Sequence, residues 1–404
     1  MTKTKILLIF LFVVSYSAKC ISQEKAANRF ASVDSYFNEL ISKKQLAGAV
    51  TLISIDHKID HLKSYGMLNI ENAIPMKDDV LIPIASMTKI VTSVAVLKLY
   101  EDGKLDLDDP VEKYISEFRN IKVLINPKAT QTEDLKSKPT VRDLLRHTSG
   151  MVYTSGKTVT DSLYLVAGFR EWNASLYDFV KKTTEIPLAF QPNTNWVYSY
   201  SHDILGYLIE VVSQMPLNEY CSKYIFKPLG LVNTDFYVPK EKADQMSNLY
   251  IYRNGVLKIT DQRDNSIYNT FPHALSGGGG WWDSYCGIVT TVSEFYILSE
   301  MLLNYGQYNG ARILKKQTVE MMISNQIGDL NAFGNKYGLG VGVKKTEDPE
   351  KKVIFWAGAP YNTYFWIDYK LKLVAILFTN TAPFGHQGMM DKFNSHTKQA
   401  LGDN

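Results

Sequence analysis

Ser86 and Lys89 have the residue types and the spacing needed for nucleophilic catalysis. A serine hydroxyl is a weak nucleophile until a base takes its proton. A lysine three residues further on lies one turn up the same face of a helix, and burial among apolar residues can keep its amine neutral so that it serves as that base. The same pair also fits an ordinary helix start, with Ser86 as the capping residue and Lys89 as a solvated charge.

The helix that would carry this pair is apolar on nearly all sides. Its apolar positions are Ile90, Val91, Val94, Ala95, Leu97 and Leu99. This pattern predicts a buried helix that ends at a cap formed by Gly103. Two other Ser-x-x-Lys sequences, at Ser22 and Ser395, do not open an apolar helix. Ser86 is therefore the candidate that would lie beside the free N–H groups and positive dipole of a helix N-terminus.

The stretch from residue 84 to 115, IASMTKIVTSVAVLKLYEDGKLDLDDPVEKYI, resembles the active-site helix of the serine β-lactamase and penicillin-binding protein superfamily. Within that superfamily the likeness is to the class C β-lactamase-like group, which includes the family VIII carboxylesterases. The resemblance covers about residues 26–400. It implies a serine hydrolase in which the substrate acylates Ser86 and Lys89 assists.

A second catalytic element is expected in NWVYSYSHDILG, residues 195–206. By resemblance, Tyr198 heads the family's Tyr-x-Asn motif and faces the serine, while Tyr200 stands where the asparagine would be. A tyrosine has an ordinary pKa of about 10, so it needs a nearby cation such as Lys89 to act as a base at neutral pH. Ser86, Lys89 and Tyr198 would then pass protons as one unit.

A third element is Trp356-Ala-Gly358, followed by Ala359. Family β-lactamases carry Lys-Thr-Gly at this strand, whereas family VIII esterases often carry Trp-x-Gly. Gly358 would let the strand backbone approach the substrate closely. The resemblance implies that the N–H groups of Ser86 and Ala359 form an oxyanion hole, and that Trp356 and Tyr200 contact the substrate.

Two departures from the family pattern bear on the substrate. The absent lysine would have paired with a substrate carboxylate, and the absent asparagine would have bonded an acylamide group. Both favour a carboxylesterase acting on small esters. A β-lactamase, a D-alanyl-D-alanine carboxypeptidase and a non-catalytic binding protein of the same fold stay open as alternatives. Four aromatic residues would either line a substrate pocket or form an ordinary packing cluster. They are Trp281, Trp282, Tyr285 and Tyr361.

The elements around these motifs predict an α+β fold, an α/β sandwich of the β-lactamase/transpeptidase-like type. Runs rich in β-branched residues flank Asp56-His57-Lys58 and predict a β-hairpin. Further strand-like runs cover residues 339–343, 353–356, 363–368 and 371–379, and helices are expected at 312–325 and 387–401. An antiparallel sheet built from both ends of the chain follows, as one catalytic domain over 23–404 with a mainly helical insert at about 104–285.

Residues 1–22 have the pattern of an export signal, with basic Lys3 and Lys5 before an apolar run from residue 6 to 14. Nine apolar residues are too few to span a bilayer, so no stable transmembrane anchor is expected. A lipoprotein attached through Cys20 is disfavoured because Lys19 precedes that cysteine. We expect an exported protein, periplasmic or secreted. The remaining cysteines, Cys221 and Cys286, are too few for a disulfide framework.

Composition and motifs exclude several other function classes. The 44 basic and 41 acidic residues become balanced once the three lysines of the leader are removed, which gives no support for nucleic-acid binding. No Gly-x-Ser-x-Gly or His-Glu-x-x-His occurs among the 404 residues. His147 is expected to be structural, since the superfamily uses no histidine for proton transfer. The predicted partner is a small ester or amide substrate, with no cofactor and no metal, and the oligomeric state stays open.

Overall fold

The computed structural model describes residues 29–153, 157–167, 175–261, 276–278, 287–348 and 351–402. Within these ranges the α-helices are α1 Ala31–Ser42, α2 Thr88–Glu101, α3 Val141–Leu145, α4 Val159–Val166, α5 Leu176–Thr184, α6 Ser201–Ser213, α7 Leu217–Cys221, α8 Lys227–Leu229, α9 Val292–Leu303, α10 Lys316–Met322 and α11 Met389–Leu401. A π-helical turn covers Ser222–Phe226, and 3₁₀ turns include Ala85–Met87 and His386–Gly388.

The strands are β1 Gly48–Ile55, β2 Lys58–Asn69, β3 Ile74–Pro75, β4 Ile82–Pro83, β5 Val123–Leu124, β6 Thr132–Glu133, β7 Leu249–Arg253, β8 Val256–Asp261, β9 Val289–Thr290, β10 Gln307–Tyr308, β11 Ala311–Arg312, β12 Lys336–Tyr337, β13 Gly342–Val343, β14 Val353–Gly358, β15 Thr363–Asp368, β16 Leu373–Thr379 and β17 Thr381–Ala382. Eight of them form one sheet in the order β12-β13-β14-β15-β16-β1-β2-β3. The pairing of β1 with β16, which places Ala49 opposite Thr379, joins the two ends of the chain. The predicted antiparallel sheet of N- and C-terminal segments is therefore confirmed.

Helices cover both faces of this sheet. On one face α1 and α11 pack through Phe37 and Phe393, together with alternate side chains of β1 and β16 such as Ala49 and Ala375. The other face carries a larger core that includes α2, α6 and α9. Since successive side chains of a strand point to opposite faces, burial on both faces explains why β16 is apolar almost throughout.

Helix α2 is buried nearly all round, as its composition predicts. All of its residues from Thr88 to Leu97 are buried, and Lys89 is among them at 0 % exposure. The helix ends at Glu101, and the next glycine, Gly103, has a φ of +67° and donates its N–H to Tyr100. The expected glycine cap is thus present, and α2 is a buried helix against which α6 and α7 pack.

The hairpin between β1 and β2 turns through Asp56 and His57, whose φ angles are 47° and 64°. Two consecutive residues with positive φ give a turn whose twist matches that of the strands. Helices α3, α4 and α5 each begin with a capping box, in which Thr140, Thr158 or Ser175 exchanges hydrogen bonds with an aspartate three residues later.

Some boundaries differ from the expectation. The strand predicted over 339–343 is confined to β13, because Gly340 has a φ of +82° and lies against Ser93, which interrupts the extended backbone. The helix predicted over 312–325 begins later, at Lys316. Cys221 is buried in the core, whereas the leader and the segment from Trp281 to Cys286 lie outside the described residues. Among the described helices, none combines the length and the apolar character needed to cross a membrane.

Gly66 and Gly103 allow a direct test of how closely β2 packs. Their φ angles are +69° and +67°, but a Cβ on Gly66 would collide with the Ala47 carbonyl whereas one on Gly103 would meet nothing. Gly103→Ala should cost ~1 kcal/mol of unfolding free energy for the left-handed backbone alone. Gly66→Ala should cost a further ~1–3 kcal/mol for overpacking. Urea denaturation of both variants measures the difference, and equal costs would contradict this packing.

Candidate active site

Ser86 lies at the entrance to α2, in the 3₁₀ turn Ala85–Met87. It is half-buried, whereas its neighbours from Ile82 to Ala85 and from Met87 onward are buried. Ala85 has a φ of 46°, a conformation that a residue with a Cβ adopts only at a cost. The turn thus presents the Ser86 side chain at the surface of a cavity while the rest of the segment stays in the core.

Lys89 brings three segments of the chain together. Its Nζ lies 3.4 Å from Ser86 Oγ and 3.3 Å from the Tyr153 hydroxyl, and it also donates to the Gly278 carbonyl. An ammonium group has three N–H donors, and here each has an oxygen within reach. Ser86 and Lys89 are therefore neighbours in space as predicted, and the lysine is fully buried.

The Gly278 carbonyl is held in place by Asp203 on α6. One carboxylate oxygen, Asp203 Oδ1, accepts hydrogen bonds from the Ser276 hydroxyl at 2.5 Å and from the Gly278 N–H at 3.2 Å. A Cβ on Gly278 would collide with this carboxylate, and one on Gly277 with the His202 carbonyl. Burial raises the pKa of Asp203, while the charge of Lys89 opposes that shift. The glycines of this loop let a buried carboxyl group and a buried lysine bind the N–H and the carbonyl of one residue, Gly278.

Tyr198 stands beside the same lysine. Lys89 Nζ lies 4.8 Å from the centre of the Tyr198 ring, and the ring also contacts Trp356 at a centroid distance of 5.4 Å. The Tyr198 hydroxyl is buried and has no hydrogen-bond partner among the described residues. Tyr198 and Ser86 line one cavity, so the structure brings together the three residues predicted for proton transfer.

Strand β14 forms one wall of this cavity. The neighbouring strand β13 pairs only with Ile354 and Phe355, so the edge of β14 from Trp356 onward has no strand partner on that side within the described chain. A Cβ on Gly358 would collide with the Ile84 carbonyl and with Thr363 Oγ1. Glycine at 358 therefore lets β14 lie directly against the turn that carries Ser86.

The cavity has a volume of about 440 Å³ and a mainly apolar lining. Trp356 and Ala357 line it from β14, and Ala359 lines it directly after that strand. Phe333 and Phe384 stand at its rim with 71 % and 48 % of their surface exposed. Ser86 and Ala359, the two residues predicted to supply oxyanion-hole N–H groups, thus border the same space. This arrangement can hold an apolar group beside a hydroxyl nucleophile.

Tyr200 occupies a different place from the one expected. It is 1 % exposed, and its ring packs against Tyr153 at a centroid distance of 4.1 Å and against Phe179 at 5.7 Å. It is not one of the residues that line the cavity. Tyr361 is likewise buried in the core, at 1 % exposure, while Trp281, Trp282 and Tyr285 lie outside the described residues.

Tyr153, Asp203 and Gly278 were not singled out by the sequence patterns. Tyr153 is the second residue after the stretch HTSGM at 147–151, and Gly278 belongs to a run of four glycines. Burial holds the pKa of Tyr153 well above its usual range, so its hydroxyl keeps its proton while it accepts from Lys89. The sequence signal for Gly278 was the glycine run, which indicates that another group lies close to the backbone there. It does not indicate which residue carries that group.

A layer of buried polar side chains lies behind Tyr198. His147 contacts the Tyr198 ring at 4.8 Å and the His202 ring at 4.8 Å. His147 Nδ1 lies 3.0 Å from Ser199 Oγ, and His202 Nε2 lies 3.1 Å from Ser93 Oγ. Burial, together with the charge of Lys89, holds the pKa of both imidazoles well below the usual range. Both rings are therefore neutral and support Tyr198 by packing.

No three His, Cys, Asp or Glu side chains lie together as a metal site would require, within the part of the chain that the structure describes.

Known proteins are similar to this chain in sequence and in fold. The family model described as Beta-lactamase matches residues 33–395. Esterase EstB of Burkholderia gladioli is 31% identical over 388 residues, which cover 90% of this chain and 93% of that protein. A putative D-alanyl-D-alanine carboxypeptidase of Escherichia coli K12 is 26% identical over 314 residues, or 72% of this chain and 66% of that protein.

Among solved structures, that of EstCE1, a hydrolase with promiscuous acyltransferase activity, superposes with a TM-score of 0.76. The match covers 94% of this chain and 99% of that one at 20% sequence identity. It confirms the predicted fold.

The two buried imidazoles predict a pH dependence of stability. Because their folded-state pKa values lie below the unfolded value of about 6.5, the unfolded chain binds more protons at acidic pH, and stability is lost as pH falls below about 6.5. At pH 5.5 each imidazole should cost up to ~1.4 kcal/mol. We expect the melting temperature to fall between pH 7.5 and 5.5, and to fall less in the His202→Gln variant.

Comparing the pH dependence of the melting temperature in wild type and in His202→Gln separates the contribution of the His202 imidazole from that of Asp203. The raised pKa of that carboxyl group works in the opposite direction, since it lowers stability as pH rises. Thermal unfolding followed by circular dichroism at several pH values is the measurement. The same pH slope in both proteins would show that His202 titrates normally.

Proposed function

Because the chain belongs to the Beta-lactamase family, we propose that this serine hydrolase is a carboxylesterase that acts on small esters through an acyl-enzyme at Ser86. The observation that carries the proposal is the contact of one buried lysine, Lys89, with the Ser86 hydroxyl beside the Tyr198 ring. The match to Esterase EstB over nearly the whole chain supports the same activity.

In the first step Ser86 Oγ attacks the ester carbonyl carbon and gives its proton to the Lys89–Tyr198 pair, which accepts it either at a neutral Lys89 amine or at a Tyr198 phenolate beside the Lys89 ammonium. The carbonyl oxygen becomes an oxyanion, which the N–H groups of Ser86 and Ala359 are proposed to bind. The bond to the alcohol oxygen then breaks, and the pair returns the proton to the departing alcohol. Water repeats the sequence on the acyl-enzyme and releases the acid.

The 3.4 Å separation of Lys89 Nζ and Ser86 Oγ is long for a hydrogen bond. Catalytic hydrogen bonds often shorten only when substrate is bound. Tyr198 is suited to take part because its hydroxyl has no described partner that would compete for the proton.

The wall of the cavity favours esters over β-lactams. Acylation is the same chemistry on both substrates, so discrimination rests on the groups that hold the rest of the molecule. Trp356 offers an apolar ring where a lactamase offers a lysine, and a desolvated carboxylate that loses its partner there would cost roughly 2–5 kcal/mol. Tyr200 is packed behind Tyr153 and supplies no amide to a substrate.

Hydrolysis of p-nitrophenyl butyrate and of a chromogenic cephalosporin by one preparation tests both the mechanism and the ranking. We expect kcat/KM to be higher for the ester by at least tenfold, in line with the lost ion pair. Ser86→Ala should lower ester turnover by at least a thousandfold, because the acyl-enzyme cannot form.

Ser93→Ala is a matched control, since Ser93 lies on the same helix but faces His202. A higher kcat/KM for the cephalosporin would make the β-lactamase alternative the better one. Near-normal ester turnover by a folded Ser86→Ala variant would refute the mechanism.

We also propose that the protein is exported and that its mature chain begins near residue 23, on the basis of the basic and apolar runs before it. Expression of the full-length chain in a bacterial host followed by N-terminal sequencing of the protein outside the cytoplasm tests this. Retention of Met1 on protein confined to the cytoplasm would refute export, and a lipid-modified Cys20 would support the lipoprotein alternative.

A further inference from the structure

A second cavity of about 260 Å³ adjoins the one that contains Ser86. The two share the side chains of Lys344, Tyr364 and Asn394. The second cavity, here called the outer groove, is also lined by Lys345, Lys351 and Lys398. Neither Ser86 nor Tyr198 borders it, so the outer groove is a compartment that a substrate would reach only by extending beyond the reacting bond.

The outer groove has an excess of positive charge. Lys344, Lys345 and Lys398 line the two cavities against the carboxylates of Asp368 and Asp391, and a fourth lysine, Lys351, has an interaction partner of its own. Asp368 Oδ1 already accepts the backbone N–H groups of Lys370 and Leu371 in the turn between β15 and β16. Asp391 faces Lys344 but belongs to the inner cavity. The local charges are therefore only partly balanced.

Lys344 and Lys398 carry most of this excess. Neither forms an ion pair with a carboxylate in the described part of the chain, and Lys344 Nζ instead lies 4.6 Å from the centre of the Phe355 ring. Partial burial and the charge of Lys398 lower the pKa of Lys344, while Asp391 opposes that shift. Two lysines that repel each other in a groove are stabilised when an anion binds between them.

Neutral donors at the same place fit an anion as well. The Tyr364 hydroxyl accepts a hydrogen bond from Asn394 Nδ2 at 2.8 Å, and burial raises the pKa of Tyr364, so the phenol keeps its own proton for an acceptor. Trp366 also lines the outer groove, and its buried Nε1–H has no acceptor among the described residues. An oxyanion provides the acceptors that these groups lack.

The edge of β14 separates the outer groove from Ser86. Phe355 and Trp356 are adjacent in the strand, so their side chains point to opposite faces of the sheet. Trp356 belongs to the core on the Ser86 side, whereas Phe355 packs on the side of α1 and α11. A charged group at Lys344 therefore lies across the edge of β14 from the reacting carbonyl.

We propose that the natural substrate is an ester with an anionic group, a carboxylate or a phosphate, several bonds from its carbonyl, and that the outer groove binds this group. The proposal rests on the proposed ester hydrolysis at Ser86 and adds the substrate class. The Lys344 ammonium would contact the anion from the cavity junction, and Lys398, one helical turn after Asn394 on α11, would contact it from the far side.

Esters matched in length test the proposal. The monoester of adipic acid with p-nitrophenol carries a charge on its acyl side, and 6-acetoxyhexanoate carries one on its alcohol side. Their neutral partners are p-nitrophenyl hexanoate and hexyl acetate, and 6-acetoxyhexyl phosphate provides the phosphate arm. The ratio of kcat/KM for charged and neutral esters is measured in wild type, Lys344→Gln, Lys398→Gln and the control Lys104→Gln, an exposed lysine that lines neither cavity.

At low salt we expect the ratio for at least one charged ester to fall about tenfold in Lys344→Gln and in Lys398→Gln but not in Lys104→Gln. Added salt should reduce the ratio in wild type. The ester that shows the effect identifies the anion as a carboxylate or a phosphate and places it on the acyl or the alcohol side of the ester bond. Equal ratios in all four proteins, each with an unchanged melting temperature, would overturn the proposal.

Calorimetric binding of the charged esters to Ser86→Ala separates this proposal from the catalytic one. Binding that weakens about tenfold when Lys344→Gln is added supports the outer groove even if wild type hydrolyses no ester. Binding that is the same with and without Lys344→Gln overturns the anion site, while hydrolysis of the neutral esters would still uphold the proposed function.

Discussion

The burial of Lys89 is the constraint on which the rest of the site depends. A buried lysine ammonium costs several kcal/mol unless its N–H groups find oxygens. Here the oxygens come from Ser86, Tyr153 and Gly278, which lie in three different parts of the chain. Asp203 in turn binds the peptide of Gly278, and glycine is needed there because a Cβ would strike that carboxylate. One apolar helix therefore determines where the loops around it must lie.

The contacts of Lys89 also show which parts of the site could be predicted from the sequence. Ser86 and Lys89 are one helical turn apart, so their proximity follows from local geometry, and the hairpin at Asp56 and His57 follows from turn length. Tyr153 and Gly278 lie 64 and 189 residues from Lys89, and no local pattern links them to it. Such contacts are set by tertiary packing, which a single sequence does not encode in its spacing.

Tyr200 shows how a local argument fails. Tyr200 was expected to contact the substrate beside Tyr198 because it stands where the family's Tyr-x-Asn motif has its asparagine. The chain instead turns at Tyr200, whose φ of -71° and ψ of 9° begin helix α6. Its ring is thereby directed into the aromatic cluster behind Tyr153. A motif that resembles a family pattern at one residue need not keep its geometry two residues later.

The two cavities divide catalysis from recognition. In the inner cavity the Lys89 amine has an oxygen for each of its donors, so it is directed at the reacting hydroxyl and leaves no hydrogen bond for a distant substrate charge. Lys344 directly follows β13, which begins only at Gly342 because the backbone at Gly340 is not extended, so its pairing with β14 does not continue past Phe355. That short strand opens the route from Trp356 to the outer groove. The spacing between a substrate's ester carbonyl and its charge, rather than the presence of a charge, would then decide which molecules bind both cavities.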